Sequence, residues 1–334
     1  MTDTDASVEA LVQSTTVAAL MERATTAPLA RATALATGFD PLDDVVGGGF
    51  RANDLVLVGG RPGIGKTVAS LPWARWMAMH GHTSLYVSYE HTPAALFARL
   101  LALELASLAR VDERSALPAL RRTAEEVALG AVPPHALTDH PLGEEAYHRL
   151  RQYGPRLRLV QGSALRTGVV ELARIVSQHR AGSTALFVDY LQKVPVVSDI
   201  RGDDERTRHL AERLKELAMV AEVPVVALAA TDREGLTARR MRLAHLRGST
   251  ALAHECDLAI LMNEKATAVS KAHLAYDPVR AETFKRWTVF SVEKNREGAP
   301  DLNLEFFKDL ANFRFEPQGG FVSETLIDAL LVEE

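Results

Sequence analysis

The sequence has one cysteine, Cys256, so no internal disulfide can form and a reducing compartment fits it. It has no run approaching the roughly 18 consecutive apolar residues of a membrane-spanning helix. Nor has it an excess of basic residues. Lys and Arg number 38 against 43 Asp and Glu, a formal charge of −5, so any grip on nucleic acid has to come from a local patch. The opening MTDTDASVEA lacks the basic head and apolar stretch of a secretion signal, which sets a cytoplasmic expectation. No internal repeat and no low-complexity segment is visible. His80, His82 and His91 stand without a cysteine nearby, which argues against a metal centre. What is present is an ordinary globular balance: 47% hydrophobic residues in a chain of 334 supply ample apolar mass for a core.

Residues 1–36 are rich in Ala and Thr, and Val8, Leu11, Val12, Val17, Leu20 and Met21 recur at helical spacing. A short amphipathic helix of this kind needs a surface, either its own body or a neighbouring copy. From residue 37 apolar runs of strand length alternate with helical stretches. The runs are Asp54–Gly59, Ser84–Ser88, Leu157–Val160, Ala185–Val188, Pro224–Ala229, Leu258–Met262 and Trp287–Val292. Continuous rather than alternating runs suit strands covered on both faces. Helical patterns fall at Val68–His80, Ala94–Leu108, Val169–His179 and Glu205–Ala221. Such alternation predicts an α/β fold with a mostly parallel central sheet between helical layers. The proline-bearing stretch 110–156 reads as short helices and loops outside the sheet. Ser323–Glu334 reads as a short helix or a tail, and Trp73 and Trp76 as packing together on the sheet.

Gly60, Arg61, Pro62, Gly63, Ile64, Gly65, Lys66 and Thr67 spell a P-loop between a strand and a helix. The glycines let backbone N–H groups turn around phosphates, and the helix N-terminus adds its positive end. Lys66 is placed for the β- and γ-phosphates and Thr67 for Mg²⁺. Asp189 ends an apolar strand, as expected of a carboxylate supporting the metal. Glu90 ends another and is placed to orient or deprotonate an attacking water. ATP and Mg²⁺ are therefore the expected ligands.

These motifs carry a resemblance. Thr37-Gly38-Phe39-Asp40-Pro41-Leu42-Asp43 with Gly47–Gly49, the P-loop, Val188-Asp189-Tyr190-Leu191-Gln192 and Val223–Leu228 together resemble DnaB-type replicative helicases, from about residue 37 to 316. The resemblance implies a RecA-like three-layer α/β/α ATPase over residues 37–317. Residues 1–36 would form a docking or linker helix, and 318–334 a tail. It further implies a homo-oligomer, a hexameric ring being favoured, with ATP sites between subunits. Glu90 would be the catalytic carboxylate, and Arg99 would lie over the nucleotide base. Lys294 and Arg296 would reach into a neighbour's ATP site; without the resemblance they read as an ordinary charged hairpin tip. Two departures stand out. Only about 36 residues precede the core, too few for the family's preceding helical domain. Where the family usually has a γ-phosphate-sensing glutamine, the chain has Ala230.

Arg233, Arg239, Arg240, Arg242 and Arg247 crowd into residues 231–250, a region that faces the central channel in the family. Arg239, Arg240, Arg242 and Arg247 are the candidate contacts to single-stranded DNA, made to its backbone and therefore salt-sensitive. The stretch has no aromatic residue to stack on bases. The leading expectation is an ATP-driven helicase or translocase on single-stranded DNA. The alternatives are an accessory ATPase of the same fold that remodels protein partners, and a module that binds nucleotide without turnover.

Overall fold

Along the strand Leu55–Gly60, Leu55 and Leu57 enter one apolar layer while Val56 and Val58 enter another. Neither side chain set meets water, which is why the run shows no polar alternation. The computed structural model describes residues 16–26, 34–196, 200, 202–270 and 278–327. The strands in chain order are β1 (Ala34–Leu35), β2 (Phe50–Arg51), β3 (Leu55–Gly60), β4 (Thr83–Ser88), β5 (Leu157–Gln161), β6 (Thr184–Asp189), β7 (Val225–Ala229), β8 (Leu258–Glu264), β9 (Trp287–Asn295), β10 (Leu302–Asp309), β11 (Arg314–Phe315) and β12 (Gly320–Phe321).

The main sheet runs β11-β10-β9-β8-β3-β7-β6-β4-β5, with β12 also pairing β10. From β5 to β8 every pairing is parallel; β9 turns antiparallel on β8, and β10 on β9. One face is covered by the helices Lys66–Met79 and Pro93–Leu108, the other by Val169–His179 and Asp203–Ala221. This is the predicted α/β/α layering. All seven expected strands form; β10, whose polar residues interrupt its apolar ones, is an addition.

The stretch 110–156 folds as helices Leu117–Ala128, His135–Thr138 and Pro141–Tyr153, outside the sheet as expected. The expected packing of two tryptophans together on the sheet needs correction. Trp73 is fully buried among Phe39, Phe50 and Phe290, while Trp76 sits half-buried at the margin, stacked on His80. Gly38, at φ 78, faces Trp76 so closely that a Cβ would lie 2.2 Å from the indole. The Asp43 carboxylate beside it accepts hydrogen bonds from the Thr37 N–H, the Thr37 hydroxyl and the Gly38 N–H, each at 2.8 Å. The residues of the TGFDPLD motif thus fasten the start of the core.

The C-terminal segment is neither helix nor free tail as far as Ile327. Gly320–Phe321 pairs with β10, and Leu326 bridges Val269. Residues 328–334 lie outside the described residues. The helix Val17–Thr26 belongs to a separate compact unit, Met1–Thr33, while Ala34–Glu334 form the other. The expected helical pattern at Val8–Val12 lies outside the described residues.

Candidate nucleotide site

The parallel strands end at one edge of the sheet, and the segments leaving β3, β4, β6 and β7 enclose a cleft of about 560 Å³. In open α/β sheets this edge is where ligands bind. Gly60, Pro62, Gly63, Gly65, Lys66, Thr67, Glu90, Arg99, Asp189 and Arg247 all line it, so the P-loop and both expected acids meet in one place.

The loop leaves β3 at Gly60 and turns through Gly63 and Gly65, at φ 78 and 104, a backbone region closed to most side chains. Its helix then runs 14 residues from Lys66, aiming unpaired N–H groups at the cleft. Arg61 and Ile64 complete the turn: the Ile64 N–H donates to the Arg61 carbonyl at 3.3 Å, and Ile64 is buried. The Lys66 ammonium folds back on the loop, donating to the Gly60 carbonyl at 2.6 Å and the Arg61 carbonyl at 3.1 Å. Burial lowers its pKa, and the Asp189 and Glu90 carboxylates counter that shift.

Asp189 closes β6 and is 2% exposed. Its Oδ2 accepts from the Thr67 hydroxyl at 3.0 Å and from the Tyr86 hydroxyl at 3.2 Å. Desolvation raises its pKa, opposed by those bonds and by Lys66. Paired hydroxyl and carboxylate oxygens beside a phosphate-binding loop suit Mg²⁺, which takes few protein ligands and leaves room for phosphate oxygens and water. Among the described residues no group of three or more His, Cys, Asp or Glu is placed to hold a metal ion. Glu90 is exposed in the cleft on a turn shaped by Ser88, whose hydroxyl accepts from the N–H groups of Glu90 and His91 at 3.3 and 3.0 Å. Arg99 lies over the Phe313 ring, 5.1 Å from its centroid, with His91 Nδ1 3.4 Å from its guanidinium.

Lys294 and Arg296 stay out of this cleft. Lys294 donates to the Ala253 carbonyl at 2.6 Å; Arg296 pairs with Asp257 at 3.0 Å and donates to the His254 carbonyl at 2.8 Å. Both thereby cap the C-terminal end of the helix Ser249–Glu255. Gly60 is in register with Met262, whereas Asn295 is in register with Leu258. At about 3.3 Å per residue, the backbone at Asn295, between the two cations, stands roughly 13 Å along the strands from the chain's own phosphate loop.

The arginines of the basic loop do not act alike. Arg239 is exposed, and Arg247 reaches the cleft while pairing at 3.8 Å with Asp203. Arg240 requires correction as a candidate DNA contact. It is 8% exposed, and its guanidinium is held by Asn303 Oδ1 at 2.8 Å beneath β9 and β10. Arg242 is engaged by Glu293 and, at 3.3 Å, by Asp301. The expectation missed Phe313 and Leu310, which line the cleft from beyond β10, and Gln192, which grips Ala230. Gln192 stood in a quoted motif; Phe313 had no local signal, because nothing foretold the strand that delivers it.

Strand, glycine turn, helix, and two carboxylates on neighbouring strands define a P-loop nucleotide-binding protein of RecA-like fold. The sequence comparisons make this specific. Residues 34–129 and 130–315 match the family described as the DnaB-like helicase C terminal domain, and the chain belongs to that family. The chain is similar to the replicative DNA helicase DnaB of Rickettsia bellii, 25% identical over 307 residues, which cover 84% of this chain and 57% of that one. To the replicative helicase DnaB of Pasteurella multocida it is 29% identical over 238 residues, 69% of this chain and 46% of the other. It spans about half the length of these relatives. Among solved structures, a DnaB-like replicative helicase, described together with its interactions with primase, superposes with a TM-score of 0.68 at 18% identity, covering 93% of this chain and 70% of that one. At that identity the likeness is one of fold. Among the described residues no helix is long and apolar enough to cross a membrane.

Proposed function

We propose that the chain is the motor core of a DnaB-like helicase, hydrolysing ATP with Mg²⁺ and moving along single-stranded DNA in the cytoplasm. The observation that carries this reading is the convergence of Lys66, Thr67, Asp189 and Glu90 on one cleft. Lys66 exchanges its two loop carbonyls for the β- and γ-phosphates. Thr67 and Asp189 would hold the Mg²⁺, which would supply positive charge to offset that of the phosphates. Glu90 accepts the proton of the water that attacks the γ-phosphate, a contribution of typically about 10² to 10⁴ in rate. Arg99 takes the base. Lys294 and Arg296, too far along the strands to serve their own site, act in a neighbour's. An arginine so placed is worth about 10³ to 10⁵ in rate. That geometry requires an assembly of copies, a hexameric ring being the reading we favour.

Arg239 and Arg247, not the inward-held Arg240, are the DNA contacts favoured by exposure. The test is ATP turnover titrated with single-stranded DNA at increasing salt. We expect stimulation that fades as salt rises, and that the double substitution Arg239→Ala/Arg247→Ala weakens. Turnover indifferent to DNA, with no DNA affinity at low salt, would remove DNA from the account and point to an accessory ATPase.

A further inference from the structure

Ala230 lines the nucleotide cleft, and its methyl group can neither give nor take a hydrogen bond. Its backbone is nevertheless tied. The Ala230 N–H donates to Gln192 Oε1 at 2.9 Å, and the Ala230 carbonyl accepts from the Arg247 N–H at 3.2 Å, with Gln192 Nε2 at 3.5 Å. Gln192 follows Asp189 by three residues. A second tie comes from the P-loop: Arg61 Nε donates to the Gly235 carbonyl at 3.0 Å, across 174 residues of sequence. Between these ties the basic loop is drawn closed. The Thr231 hydroxyl and the Asp232 N–H both donate to the His245 carbonyl at 2.9 Å. Gly235 is packed so tightly that a Cβ would fall 2.0 Å from Thr231 Oγ1. A displacement at either tie is therefore passed to residues 230–235 and 245–247, whereas 240–243 are held separately by Asn263, Glu293 and Asn303.

We propose that Gln192 and Arg61 are the positioning residues that carry the state of the phosphate site to the arginine-bearing loop, a task the side chain of Ala230 cannot perform. The inference rests on the nucleotide reading above. In turning toward phosphate, Lys66 trades contact with the Gly60 and Arg61 carbonyls for phosphate oxygens, which repositions the segment that holds Gly235. A cation drawn to Asp189 acts on the end of β6, three residues before the amide that holds Ala230.

The test is hydrogen–deuterium exchange on the full chain, with and without a non-hydrolysable ATP analogue and Mg²⁺ at saturation. In the unaltered chain, nucleotide slows exchange both in the P-loop, 60–67, and in 231–250. Gln192→Leu, compared at its own saturating concentration, keeps the P-loop response and loses most of the response in 231–250; Arg61→Met, whose altered P-loop is read separately, loses most of the response in 231–250 as well. Gln192→Glu, which still accepts from the Ala230 N–H, retains it. The two losses arise from separate ties, so misfolding of one variant leaves the other to decide. An undiminished loop response in both variants would overturn the proposal, as would an unaltered chain whose P-loop responds while 231–250 does not. If the P-loop itself fails to respond, the nucleotide reading falls, and the coupling with it.

Discussion

Asp54 stands at the start of β3, at the edge of the sheet opposite the phosphates. Burial, reinforced by the neighbouring charge of Asp257, pushes its pKa from an ordinary 3.8 up to about 6. The folded protein thus holds this proton more tightly than the unfolded chain. The associated stability is complete below pH 3.8 and is lost as the pH rises through about 6. Asp54→Asn removes the ionised group, so it should raise the thermal midpoint above pH 6 and leave it almost unchanged near pH 3.8. Unfolding scans at the two pH values check this; an equal gain at both would rule out relief of a buried charge. Asp257 itself is compensated, by Lys215 at 2.7 Å and Arg296 at 3.0 Å, and its Oδ2 also accepts from the Leu55 N–H at 2.8 Å.

The element that carries the P-loop is anchored at its far side by charge. Arg75, on the helix Lys66–Met79, donates two hydrogen bonds to Glu104 on Pro93–Leu108, and the Tyr153 hydroxyl donates to the same carboxylate at 2.7 Å. Glu104 is wholly buried and Arg75 is 9% exposed. Removing one partner strands the other's charge, so Glu104→Leu should cost about 3–5 kcal/mol in urea unfolding; a loss below about 1 kcal/mol would contradict the arrangement. None of these three residues was singled out from sequence, because their value lies in contacts between helices far apart in the chain. The strands were legible for the opposite reason. Both faces of β3, β4, β6 and β7 are covered, so their apolar runs are unbroken. β10 was not legible, since LNLEFFKD mixes polar and apolar residues on a strand only partly covered. The cleft shows the same division. Lys66, Thr67, Asp189 and Glu90 follow from local motifs, whereas Phe313 depends on the missed strand. Counting arginines in 231–250 could not separate the buried Arg240 from the exposed Arg239, because burial there is set by Asn303 and Ser291 on distant strands.

For the whole molecule the decisive feature is that the proposed catalytic groups occupy two ends of one sheet. Glu90 faces the phosphate loop, while Lys294 and Arg296 cap a helix at the opposite edge. On the function proposed above, such a chain would hydrolyse nucleotide fully only when a second copy brings its hairpin to the first copy's cleft. The most direct measurement is ATP turnover by Glu90→Gln, by Arg296→Ala, and by a mixture of the two. Each variant alone should turn over at least about 10²-fold more slowly than the unaltered chain. The mixture should regain part of the activity, because some interfaces then pair an intact Glu90 with an intact Arg296. Unreduced turnover by Glu90→Gln alone would contradict the account at its centre.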